Sequence, residues 1–188
     1  NYNYEYYPQL VKNYGMQDEC EWVEYLFNDL TPDPRIVRLA ENIKNRGGYS
    51  EIADSMPVPK LVKIYGKQVF DVINETYKVL DGYVPVEGEI LDNVLDQFGM
   101  IVNPEYLSII TNKEGKVVAC GVALPSICEA IQKSKGRLFP FGFIKLLHDI
   151  KHPKELELAI IGVLPEYRSK GLNALVISRI AQNIVKNG

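Results

Sequence analysis

Between Val163 and Ala174 the sequence reads V-L-P-E-Y-R-S-K-G-L-N-A, a short basic segment set between two aliphatic runs. Arg168 and Lys170 flank Ser169, and Gly171 follows directly. The run before it predicts a strand and the run after it a helix. A helix N-terminus presents unpaired N–H groups and a partial positive charge. A glycine without a Cβ lets another backbone or a ligand approach closely. This combination is a seat for a phosphate or pyrophosphate. A solvated strand-to-helix turn with two ordinary surface cations has the same composition, and chemistry alone does not choose between them.

Other residue types are weighed in the same way. Glu155 and Glu157 alternate with Leu156 and Leu158, which places both carboxylates on one sheet face as candidate general bases or as a solvated strand edge. His148 and His152 stand four apart with Glu155 nearby, a metal-like spacing. Pro153 limits the helix that would carry them, and the chain holds two histidines in all, so no metal site is expected. Cys120 lies in V-V-A-C-G-V-A-L and reads as core. The cluster Phe139-Pro-Phe-Gly-Phe143 reads as a cap on the core or as the lining of an acyl pocket. The N-terminal tyrosines read as packing residues.

The elements that must position these residues follow from periodicity. Helices are expected over Arg35–Asn45, Lys60–Leu80, Glu87–Phe98, Ser126–Lys133, Phe141–Ile150 and Ser169–Lys186, with a short one starting at Tyr7. Apolar steps carry them, among others Val62, Tyr65, Val69 and Ile73 in the second, and Ile90, Leu91, Val94, Leu95 and Phe98 in the third. Strands are expected over Glu21–Asn28, Tyr106–Thr111, Lys116–Leu124 and Glu155–Val163, with a short extended piece at Tyr49–Ala53. Asn112-Lys-Glu-Gly115 has hairpin-turn composition. The fold class expected is α/β in the α+β layered sense: helices against a mixed, mostly antiparallel sheet.

With 188 residues, 46% of them apolar, the chain can bury a sizeable core. A net charge of −3 gives no general electrostatic case for nucleic acid. No run reaches the ~20 apolar residues of a membrane span. The three cysteines are widely spaced and lack CxxC order, which reads as reduced thiols in the cytoplasm. No signal peptide is visible, and there is no Walker or dinucleotide glycine pattern.

The spacing of Val163, Pro165, Tyr167, Arg168, Gly171 and Leu172 resembles the acyl-CoA-binding signature of the GNAT superfamily of N-acetyltransferases, V-x-P-x-[YF]-[RQ]-x-x-G-[ILV]-[GA]. Asn173 departs from it, standing where Gly or Ala is usual. The helix–helix–strand–hairpin–strand order before it also resembles that superfamily. The resemblance implies acetyl-CoA as co-substrate and a small amine or peptide as acceptor, attacking the thioester directly. It implies that backbone near Ile161 and Val163 holds the pantetheine arm, and that the amides of Ser169, Lys170, Gly171, Leu172, Asn173 and Ala174 hold the pyrophosphate, with the charges of Arg168 and Lys170 beside it. It makes Glu157 and Glu155 the candidate bases. The superfamily continues past this helix with further strands, so the sequence reads as a GNAT-like domain over 56–188 lacking its C-terminal strands. Residues 1–55 read as a linker helix preceded by the tail of another such half. A free edge on the Glu155–Val163 strand is then expected to pair with Glu21–Asn28 or with a second copy. A non-catalytic GNAT-like half, serving as scaffold or regulator, is the alternative function.

Overall fold

In the computed structural model, residues 3–29, 31–139 and 141–187 are described, and the side chains of 98–101 and 187 lie outside that description. After α1 (Tyr6–Asn13), the first helix packed on the rest is α2 (Pro34–Gly47). Asp33 caps it, its carboxylate accepting the Arg35 N–H at 2.8 Å, and Gly48 ends it in the left-handed conformation. Both are the residue types that such positions favour. The chain then forms β1 (Ser50–Glu51), α3 (Val58–Tyr77), α4 (Gly88–Ile101), β2 (Leu107–Thr111) and β3 (Val117–Pro125). Two small helices, α5 (Cys128–Lys133) and α6 (Gly142–Lys151), precede β4 (Leu156–Val163) and α7 (Leu172–Asn187).

The four strands form one antiparallel sheet in the order β1-β2-β3-β4. Its helices lie on both faces. A Cβ on Gly121 would run into Val176 of α7, whereas one on Gly162 would meet Thr76 and Val72 of α3. Gly162 pairs with Cys120, the neighbour of Gly121 in β3, so adjacent positions address opposite layers. The β2–β3 hairpin turns at Asn112, whose side chain accepts the N–H groups of Glu114 and Lys116, as its composition predicts. Gly66 has a packing reason inside α3: a Cβ there would stand 2.6 Å from Leu95 of α4. Val118, Ala119 and Cys120 are fully buried at the centre.

Three expectations are corrected. Residues Glu21–Asn28 form no strand and lie exposed, Trp22 through Phe27 included, because no neighbouring strand offers them a ladder. They therefore do not cover the edge of β4. The Phe139–Phe143 cluster does not cap the core: Phe139 is 81% and Phe141 74% exposed, since α5 and α6 pack on each other beyond the end of the β3–β4 pair. Ile90, placed on the buried stripe of α4, is exposed, while Leu91, Val94 and Leu95 pack inward. Phe98 lies outside the described side chains. Strand β1 pairs with β2, and α2 packs on α7. No helix among the described residues is long and apolar enough to cross a membrane.

Candidate functional site

Strand β4 has β3 on one side and, among the described residues, no strand on the other. One residue, Ala159, bulges out of register, because Val122 pairs with Ile160 and Ala123 with Leu158. From Val163 the chain passes through a single 3₁₀ turn, Pro165–Tyr167, then a turn in which Ser169 (φ 61°) and Gly171 (φ 78°) are both left-handed, and enters α7. A non-glycine residue in that region is uncommon and is held there by its surroundings.

Those surroundings are visible. The Tyr167 hydroxyl accepts a hydrogen bond from the Asn112 amide at 3.0 Å, tying the loop to the hairpin turn. Lys170 stands 4.4 Å over the Tyr167 ring. Lys116 reaches Glu166 at 3.7 Å. Above Gly171 sits Ile43 of α2, filling the space where a Cβ would go. The close approach that glycine permits here is therefore made by the protein itself. Ile43 also brings the last turn of α2, with Lys44 and Arg46, to this end of the molecule. Arg168 and Ser169 are exposed.

The N–H groups do not all remain available. Ala174 donates to the Gly171 carbonyl at 3.0 Å, and Arg168 to Pro165 at 3.2 Å. Leu172 and Asn173 open α7, where N–H groups have no acceptor within the helix. Asn173 is exposed, so its side chain has room.

On the free edge, α3 supplies side chains that no local pattern of residues places there. The Tyr77 hydroxyl donates to the Ile161 carbonyl at 3.1 Å and accepts the Ile161 N–H at 3.2 Å. Thr76 donates to the Val163 carbonyl at 3.4 Å. These are the backbone groups assigned to a pantetheine arm. Tyr83, whose ring centre is 5.8 Å from that of Tyr77, donates to Asn74, and burial pushes its phenol above the usual value. A contact between a helix end and a strand 84 residues further on leaves no local signal, so periodicity places Tyr77 in an apolar stripe and nothing more.

The remaining candidates are dispersed. Glu157 sits at the start of β4 opposite Leu124, and Glu155 lies just before the strand, its carbonyl accepting the Ser126 N–H at 2.9 Å. Both side chains are exposed. Glu157 stands about 20 Å along the strand from Val163, and Glu155 about 26 Å. The His148 and His152 rings lie 5.1 Å apart, and among the described residues no three His, Cys, Asp or Glu side chains gather as a metal site. Cys120 is buried, and burial pushes its thiol up to about 12, so it holds its proton at neutral pH. An apolar cavity of about 40 Å³ lies between α3, α4 and the sheet, roughly the space of one water and too small for a ligand.

Comparison with known proteins adds one relative. The chain is 24% identical over 175 residues to protein YghO of Escherichia coli strain K12. That alignment takes in 89% of this chain but 42% of YghO, so the chain spans less than half the length of that relative. No family model matches the chain, and no solved structure does.

Proposed function

We propose that the chain is the acyl-CoA-binding part of a GNAT-type N-acyltransferase, moving an acetyl group from acetyl-CoA to an amine of a small molecule or peptide. The observation that carries this reading is the passage from β4 to α7. An edge strand with a bulge ends in Pro165–Tyr167, turns through left-handed Ser169 and Gly171, and opens a 16-residue helix. The element order around it supports the same reading. In it, the pyrophosphate lies on the Ser169–Asn173 amides with Arg168 and Lys170 beside it. The pantetheine runs along β4 toward the bulge, which brings the thioester toward the half of the strand that bears Glu157. The protein's contribution is then to align the amine with the thioester and to accept its proton, at Glu157 or Glu155 directly or through water.

A second reading has its own observation. Tyr77 and Thr76 occupy the edge groups of Ile161 and Val163, and Ile43 occupies the space above Gly171. A non-catalytic half that keeps the fold and fills its own cofactor groove has these features. Incubation with acetyl-CoA and amines of both classes, a polyamine and a peptide with a free N-terminus, separates the two. Acetylated product by mass spectrometry, lost in Glu157→Gln with CoA affinity retained, supports the transferase. CoA binding without product supports the non-catalytic half.

A further inference from the structure

Two exposed apolar surfaces lie far apart in the sequence and carry opposite charge. The first is the arm before α2. Residues 17–29 hold Asp18, Glu19, Glu21, Glu24 and Asp29 with no lysine or arginine. Between the acids stand Trp22, Val23, Tyr25, Leu26 and Phe27, all exposed. The second is the α5–α6 insert. Residues 128–154 hold six Lys and Arg against Glu129 and Asp149, and Glu129 pairs with Lys133 and Lys154. Phe139, Phe141, Phe143, Ile144 and Leu147 are all exposed there, the rings of Phe139 and Phe143 lying 5.8 Å apart. The formal charges are −5 and +4. Lys135, Arg137 and Lys151 make no ion pair among the described residues.

We propose that the acidic aromatic arm of one copy docks on the basic aromatic insert of a second copy, and reciprocally. Large exposed apolar patches rimmed by charge mark interaction surfaces. Complementary potential selects the partner and the register. The arm has the length: 13 extended residues reach about 43 Å, against about 15 Å for the ten residues of α6. Within one copy the two surfaces do not cover each other, since both are exposed together. Exchange between two copies forms the contact twice about a twofold axis, and each docked arm raises the effective concentration of the other. An anionic lipid surface would also attract the insert, but it leaves the apolar arm uncovered, whereas exchange covers both.

The test is sedimentation of the full chain across a concentration series, with Trp22 as reporter, because it is the chain's one tryptophan. The expected result is a monomer–dimer equilibrium that weakens with salt, with Trp22 emission shifting to the blue as dimer forms. Glu21→Lys with Glu24→Lys, or Lys135→Glu with Arg137→Glu, raises the dimer dissociation constant about tenfold or more. These positions are exposed, so folding is retained. Mixing the two variants restores association, because one contact of the mixed dimer pairs the unaltered arm with the unaltered insert and the other pairs the two reversed surfaces, so both are again opposite in charge. A monomer at all concentrations overturns the proposal, whether Trp22 is buried within one chain or the insert binds anionic vesicles. A dimer that neither reversal weakens, or that mixing does not restore, overturns it as well.

Discussion

The two edges of the sheet are closed in different ways. At the β1 edge the strand is two residues long, and its end is locked by charge. The Glu51 carboxylate accepts the N–H groups of Ala53 and Ile109 at 2.9 and 3.0 Å and the Ser108 hydroxyl. Arg179 of α7 pairs with Asp54 through two bonds of 2.8 Å and also donates to the carbonyls of Leu107 and Pro104. At the β4 edge the strand is eight residues long and is dressed, over its second half, by two neutral side chains, Tyr77 and Thr76. A neutral hydrogen bond contributes about 1 kcal/mol net, whereas breaking a half-buried charge pair costs about 3 kcal/mol. The first edge is built to stay shut. The second is held by weaker, neutral hydrogen bonds, and the cofactor path proposed above runs along it.

Removing Arg179 breaks the contrast most severely. Arg179→Ala leaves Glu51, nearly buried, without its cation, and unfolding in urea is expected to show a loss of about 3 kcal/mol. A loss below about 1 kcal/mol means that the β1 edge is not held by charge.

The paired glycines come next. Gly121→Ala on central β3 drives a methyl into Val176 and costs about 2 kcal/mol. Gly162→Ala on edge strand β4 meets Thr76 at 3.3 Å and Val72 at 3.4 Å, where α3 can give way, and is expected to change stability by less than about 0.5 kcal/mol. Equal costs would show α3 to be as fixed on β4 as α7 is on β3.

Tyr77→Phe sharpens the comparison at the edge itself. It removes one hydroxyl from both Ile161 groups and costs about 1 kcal/mol of stability. If the hydroxyl stands in for a ligand amide, the same change tightens CoA binding, which calorimetry reads directly. Weaker binding would make Tyr77 a support for the ligand instead.

The smallest effect is a pH dependence at the other edge. The hydrogen bond from Arg179 holds the Asp54 carboxyl below its usual value. Its stabilisation is therefore present above the unfolded value of about 3.9 and is lost as pH falls through the folded one. Asp54→Asn is expected to lower the urea midpoint at pH 7, with the difference from wild type closing as pH drops below about 4. A difference that persists in acid would assign the effect to packing.

Sequence periodicity reached the helices and the β2–β3 hairpin, because 3.6-residue spacing, Asp33, Gly48 and Asn112 act within a few residues of themselves. It reached the β4–α7 loop for the same reason. It did not reach Tyr77, Thr76 or Ile43, whose roles come from helices packed against a strand or loop more than 80 residues away. It mistook Glu21–Asn28 for a strand, because alternation describes the side chains and is silent about a backbone partner. It placed the Phe139–Phe143 cluster against the core because hydrophobicity alone does not say which surface a side chain faces.

A CoA seat at the β4–α7 junction is open to calorimetric titration. Asn173→Glu is the variant of choice. The side chain is exposed, and a carboxylate in the first turn favours the helix, so folding is retained. The expected result is one saturable CoA site in the wild type and an affinity at least about tenfold lower in the variant, about 1.4 kcal/mol. No binding by the wild type, or equal affinity in the two proteins, contradicts it.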